Sequence, residues 1–120
     1  HEFTGHKLAL HFDDVISTKS GLVPPTARDA RKIVAWAKGV NGTSLVHCAA
    51  GKSRSTAAAI AIPAVRCRPS MDNARAIMRW IVEIRRIACP NPLLVDLLDT
   101  QIGWQGDLSA ARAWRFSRGF

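Results

Sequence analysis

The chain has 120 residues, of which 17 are Lys or Arg and 9 are Asp or Glu, so its formal net charge is +8. This length suits one domain, and an apolar fraction of 48% with a charged fraction of 22% is ordinary for a globular protein. No apolar run approaches the roughly 18 residues that span a bilayer, so no membrane span is predicted, and the basic excess favours an anionic substrate.

The first third of the chain is predicted to hold one strand and one helix. His6 to Phe12 alternates loosely, as a strand does. Thr26 is a good N-cap and Asp29 supplies negative charge in the first turn of a helix. An apolar stripe then continues to Lys38, and Gly39 is predicted to end the helix.

The middle of the chain combines a strand with an apolar helix. Thr43 to His47 is a short β-prone run, which we interpret as a buried central strand. A helix is predicted to begin at Lys52 or Ser53. Pro63 removes one backbone donor from this helix, so a kink or an early end is expected there.

The C-terminal part is predicted to be almost entirely helical. Ser70 caps a helix whose apolar positions keep a 3.6-residue period as far as Ile87 or Ala88. After a break at residues 89–92, Leu93 to Ile102 forms another helix, which Gly103 ends. A short basic helix, Leu108 to Phe116, completes this part.

These elements predict an α/β domain with a small central, largely parallel sheet that is covered by helices. Only two strands can be recognised, which is few for a stable sheet. We therefore expect a single domain over residues 6–118 that lacks some N-terminal elements. Residues 1–5 have no periodicity, and we interpret them as a tag remnant or a disordered start.

The three cysteines, Cys48, Cys67 and Cys89, argue against a disulfide framework because their number is odd and none lie close together. They favour a reducing compartment, and hence the cytoplasm. No Cys or His spacing is typical of a zinc site, so no metal and no cofactor is predicted. We expect Cys67 and Cys89 to be core or helix-end residues, although a redox role toward Cys48 stays open.

The most informative segment runs from His47-Cys48 to Arg54-Ser55. Five residues separate the Cys from the Arg, and the segment lies between a predicted strand and a predicted helix. A thiolate at this place is favoured by the helix dipole and by the backbone N–H groups of a tight loop. Arg54 can hold two phosphate oxygens at once, and Ser55 can donate its hydroxyl to the sulfur. This pattern predicts hydrolysis of a phosphate ester.

The other loop residues have supporting roles. The predicted phosphate-binding loop comprises Ala49, Ala50, Gly51, Lys52, Ser53 and Arg54. Gly51 allows a close approach of the backbone to an anion. Lys52 adds positive charge, Ser53 supplies a backbone N–H, and His47 orients the loop. A general acid must come from elsewhere, and Asp13 and Asp14, which follow a predicted strand, are both candidates.

These residues resemble the signature loop of the cysteine-dependent protein tyrosine phosphatases. His47 before the Cys and the small residues after it are most similar to the dual-specificity branch. Phe12-Asp13-Asp14 resembles the general-acid loop of that branch, in which the second Asp is the acid. Pro90-Asn91-Pro92 is similar to a segment behind its active site. The layout from about Leu8 to Trp104 also resembles short bacterial tyrosine-phosphatase-like proteins.

The resemblance implies a phosphomonoester hydrolase that acts through a cysteinyl-phosphate without a metal. It implies a phosphorylated protein, with phosphotyrosine favoured, as substrate. The alternatives are a phosphoinositide or RNA 5′-phosphate phosphatase and a non-catalytic phosphate-binding protein. Nucleic acid is not expected as a partner, because the basic residues form no block. The oligomeric state stays open.

Overall fold

Most of the residues that the structure describes lie in α-helices. The computed structural model describes residues 6–7, 23–40, 44–45 and 53–116, the two short ranges as backbone alone. The helices are α1 (Ala27–Gly39), α2 (Arg54–Ala64), α3 (Met71–Ile84), α4 (Pro92–Ile102) and α5 (Asp107–Phe116), and the two-residue strands are β1 (His6–Lys7) and β2 (Ser44–Leu45).

Local hydrogen bonds explain why α1 begins where it does. The hydroxyl of Thr26 accepts the Asp29 N–H, and the carboxylate of Asp29 accepts the Thr26 N–H at 2.8 Å. This reciprocal pair is a capping box, which satisfies two of the backbone donors that a helix start leaves open. The predicted N-terminus of this helix is confirmed.

Side chains also cap the starts of α3 and α4. The Ser70 hydroxyl accepts the Asn73 N–H at 3.0 Å, and the Asn91 amide oxygen accepts the Leu94 N–H at 3.0 Å. At the other end of α4, Gly103 has a φ of 87°, a left-handed conformation that glycine adopts without strain. The predicted cap at Ser70 and the predicted stop at Gly103 are confirmed.

Of two predicted helix ends, one needs correction and one is confirmed. The helix that the apolar period extends to Ile87 or Ala88 ends at Ile84, because Arg85 has an extended backbone. The early end expected at Pro63 is confirmed, because α2 ends at Ala64, one residue after the proline. A proline near the last turn costs little there, since the bond it removes is one of the last in the helix.

Helix α2 lies at the centre of the described residues and packs against α1, α3 and α4. Ala57, Ala58 and Ala61 are fully buried, as is Ile60. Small side chains on several faces allow neighbouring helices to approach closely, and a helix that is apolar all round belongs in a core. Around it, α1 packs on α4, and α5 packs on both α3 and α4.

The predicted α/β architecture with a central sheet is wrong. The described residues form a five-helix fold, and their buried apolar cluster comes from the helices and the turns between them. Strand pairing in the described ranges is limited to a parallel register of His6 with Ser44 and Lys7 with Leu45. Two residues a strand cannot form a covering layer, and the helices bury one another's apolar faces instead.

Among the described residues, none of the helices has the length and apolarity that a bilayer crossing requires. The prediction of one domain over residues 6–118 stays a prediction.

Candidate functional site

The predicted site is divided between described and undescribed parts of the chain. The residues outside the described ranges are Cys48, Asp14 with its alternative Asp13, His47, and the loop residues Ala49, Ala50, Gly51 and Lys52. Their predicted roles stay predictions. Ser53, Arg54 and Ser55 are described, and they lie together at the start of α2.

The start of α2 coincides with the last three residues of the predicted site segment. Ser53 is the N-cap residue and Arg54 is the first helical residue. Ser53 and Ser55 are buried, whereas Arg54 is half-buried with its Nε below the surface. The guanidinium therefore lies where the loop would enter the helix, partly screened from water.

The carbonyl oxygen of Ser53 is held from two parts of the chain. It accepts the Ala57 N–H at 3.1 Å, the Thr56 hydroxyl at 3.2 Å and the Asn91 N–H at 3.1 Å. The first two bonds are local to α2. The third joins α2 to a segment far along the chain and fixes where the predicted loop ends.

Asn91 connects two helix starts. Its backbone N–H donates to Ser53 while its side-chain oxygen accepts the Leu94 N–H and caps α4. Asn91 is fully buried, so both bonds lie away from water. Bonds in such surroundings are costly to leave unmade, because water cannot replace a partner that a buried polar group loses.

Arg112, on α5, contacts the residues just before Asn91. It is 7% exposed, and its Nε donates to the Pro90 carbonyl at 2.8 Å. Its Nη2 lies 4.0 Å from the Cys89 Sγ. A buried guanidinium thus orders the residues next to Asn91, and a continuous path of bonds leads from α5 to the start of α2.

The sequence interpretation missed Arg112, because it treats the last helix only as basic. A signal was present: Leu108, Ala111 and Phe116 mark the apolar stripe of α5, and Arg112 lies within it. An arginine among apolar positions indicates a buried guanidinium with a specific partner.

Like α4, α2 differs in charge at its N-terminus from α1, α3 and α5. Its first turn contains no acidic residue, and the Ser53 side chain makes no capping bond. In contrast, Asp29, Asp72 and Asp107 lie in the first turns of α1, α3 and α5. The helix dipole and Arg54 together favour negative charge at the start of α2.

A cleft of about 430 Å³ lies away from this region, at the turn between α4 and α5. Its lining includes Asp96, Asp99 and Gln105. The Asp99 carboxylate is occupied in bonds to the N–H groups of Gly106, Leu108 and Ser109. This carboxylate caps α5, so the cleft has a structural explanation and contains none of the predicted site residues.

Neither of the two cysteines in the described ranges forms a disulfide. Cys67 is exposed and Cys89 is buried beside Arg112. In the described part of the chain, no group of three or more His, Cys, Asp or Glu side chains is arranged to hold a metal ion.

Comparison of the chain with protein-family models, with curated proteins and with solved structures finds no match.

Proposed function

We propose that the protein is a phosphomonoester hydrolase that acts through a cysteinyl-phosphate intermediate. One observation carries the proposal: the Cys48-to-Arg54 spacing runs directly into the start of α2, where the first turn has no acidic side chain. A thiolate, a guanidinium and a helix N-terminus are the groups that this chemistry requires. A phosphorylated protein is the proposed substrate, and the cytoplasm, whose reducing conditions preserve a thiolate, is the proposed compartment.

The proposed reaction has two steps. The Cys48 sulfur attacks phosphorus, the bond from phosphorus to the leaving oxygen breaks, and Asp14 gives its proton to that oxygen. Water then attacks the phosphoenzyme while Asp14 takes a proton, and Cys48 leaves as a thiolate that the Ser55 hydroxyl can stabilise. Throughout, Arg54 holds two phosphoryl oxygens and offsets the charge that develops on them.

The contacts of Ser53 support a defined geometry for this loop. A phosphate loop works by aiming several donors at one anion, so its ends must be held in place. Asn91 binds the Ser53 carbonyl at 3.1 Å, and Arg112 in turn holds Pro90. Because these bonds are buried, they supply the rigidity that such a loop needs.

The direct test is hydrolysis of p-nitrophenyl phosphate by the purified chain. We expect turnover in the wild type and none above background in Cys48→Ser. Arg54→Ala should lose about 10²- to 10³-fold, as removal of a transition-state donor does. The matched control is Arg31→Ala, an exposed arginine on α1 that should retain full activity.

Variants of Asp13 and Asp14 show which of the two residues is the general acid. Asp14→Asn should lower turnover by about 10²-fold or more, whereas Asp13→Asn should leave most of it. Equal activity of Cys48→Ser and wild type would contradict the covalent mechanism. Absence of turnover together with tight tungstate binding would instead indicate the non-catalytic phosphate-binding protein.

A further inference from the structure

The last residue of α3 and the turn that follows it expose an unusual set of side chains. Ile84 is 56% exposed and Ile87 is 53% exposed, and Arg85 and Arg86 between them are exposed as well. We call residues 84–87 the IRRI turn. Two apolar side chains that flank two guanidinium groups at the surface are the composition of an interfacial anchor, not of an ordinary solvated turn.

The backbone holds the IRRI turn outward. The Arg85 N–H donates to the Ile81 carbonyl at 3.0 Å, and the Ala88 N–H donates to the Arg85 carbonyl at 2.9 Å. The residues that follow the turn are buried: Ala88 is 8% exposed and Asn91 is fully buried. The turn is therefore anchored at both ends, and the two isoleucines cannot enter the core without breaking that anchorage.

The IRRI turn itself carries positive charge. Glu83 precedes it, and Arg79 lies four residues before Glu83 on α3, a spacing at which opposite charges on a helix are neighbours. The turn itself contributes two positive charges and no negative one, on a chain whose formal net charge is +8. Such a surface is complementary to an anionic one.

We propose that the IRRI turn docks the protein onto the surface of an anionic lipid bilayer. Ile84 and Ile87 enter the boundary between headgroups and acyl chains, and Arg85 and Arg86 contact lipid phosphates. A nucleic acid would use the arginines but would leave the isoleucines unexplained. A protein interface of ordinary size involves about 20 to 30 residues on each side, far more than this turn provides.

The turn lies near the start of α2. Ile87 is four residues before Asn91, so their Cα atoms are at most about 14 Å apart, and the Asn91 N–H donates to Ser53. Docking at the turn would thus place the start of α2 close to the headgroup layer. The docking itself does not depend on the proposed hydrolase activity.

The test is co-sedimentation of the full chain with vesicles, without any phosphate ester present. Vesicles of phosphatidylcholine alone are compared with vesicles that contain about a third phosphatidylglycerol, at low and high salt. We expect binding to the anionic vesicles that weakens in high salt, and little binding to the neutral ones.

Double variants separate the apolar contribution of the isoleucines from the electrostatic contribution of the arginines. Ile84→Ser with Ile87→Ser should weaken binding about tenfold or more, and Arg85→Gln with Arg86→Gln about 30-fold. The matched controls are Val23→Ser, another exposed apolar residue, and Arg31→Gln with Lys32→Gln on α1. They should change binding less than twofold, and thermal melts should show that every variant is folded.

Three outcomes would overturn the proposal: no binding to anionic vesicles, equal losses in the α1 control, or loss of binding in the arginine pair but not in the isoleucine pair. Concentration-dependent dimerisation that the isoleucine variants abolish would assign the turn to a second copy instead. Preferential binding of single-stranded RNA would assign it to nucleic acid. Because Cys48→Ser should bind vesicles as the wild type does, failure of the hydrolase proposal leaves this result interpretable.

Discussion

Arg112 and Pro90 are 22 residues apart in the chain, yet the Arg112 Nε donates to the Pro90 carbonyl at 2.8 Å in a buried setting. This bond ties α5 to the segment that precedes α4. The next residue, Asn91, binds the Ser53 carbonyl. The C-terminal helix is thereby connected to the start of α2, where the predicted phosphate loop ends.

Arg112→Ala should destabilise the fold by about 2 to 3 kcal/mol, since it leaves the buried Pro90 carbonyl without its charged donor. The free energy of unfolding in urea measures the effect. The exposed Arg31→Ala on α1 serves as control and should change it by less than about 0.5 kcal/mol. Similar losses in both variants would contradict the assigned role.

Asp99→Ala should cost about 2 to 3 kcal/mol, because the residue is 3% exposed and its carboxylate accepts the N–H groups of Gly106 and Leu108 at 2.7 and 2.8 Å. Asp99→Asn keeps one acceptor and should lose about half as much. The free energy of unfolding from chemical denaturation measures the effect. Asp96→Ala is the reference, because Asp96 is an exposed residue on the same helix whose loss removes a charge but no cap. A larger loss in Asp96→Ala than in Asp99→Ala would refute this explanation.

Trp104→Phe should destabilise by about 1 to 2 kcal/mol, since Trp104 is fully buried and its Nε1 donates to the Ala64 carbonyl at 3.1 Å. That bond satisfies a carbonyl at the C-terminal end of α2. The loss of stability is measured from a thermal melt that is followed by near-ultraviolet circular dichroism. Trp114→Phe, at a position that is 49% exposed, should melt close to the wild type.

Two glycines should respond to alanine with opposite signs. Gly103 has a φ of 87°, and although a methyl group there would meet open space, the left-handed backbone remains strained for alanine, so Gly103→Ala should cost about 1 kcal/mol. Gly39 is the last residue of α1, and Gly39→Ala should stabilise by at most about 0.5 kcal/mol. Midpoints of thermal unfolding that move in the same direction would contradict the argument.

The sequence could predict those parts of the fold that depend on neighbouring residues. Thr26 and Asp29, or Ser70 and Asn73, are three residues apart, so their capping bonds follow from local geometry. The apolar period of α3 predicts its start correctly but extends too far at its end. Arg85 leaves the helix, while the residues from Ala88 onward are drawn into the core beside Arg112.

The prediction of a central sheet was wrong because it also depended on contacts between distant segments. A short apolar run such as Thr43 to His47 predicts a buried strand only if further strands exist to pair with it, and pairing is a long-range property. Among the described residues the helices cover one another, and only two residues on each side pair as strands. For the candidate site, the sequence predicts Ser53, Arg54 and Ser55, and it favours a capping role for Asn91, with bracing of the phosphate loop as the weaker alternative. The bond of Asn91 to Ser53 spans 38 positions in the chain, so only the tertiary structure could show it.

The amino-acid sequence by itself determined the helix starts at Thr26 and Ser70, the stop at Gly103 and the pattern from which a phosphate loop is proposed, because each depends on residues that are close in the chain. Only the tertiary structure decided that α2 is central, that Arg112 is buried and that the IRRI turn faces outward. Those features arise from contacts between distant segments, whose formation depends on how all the helices share one core.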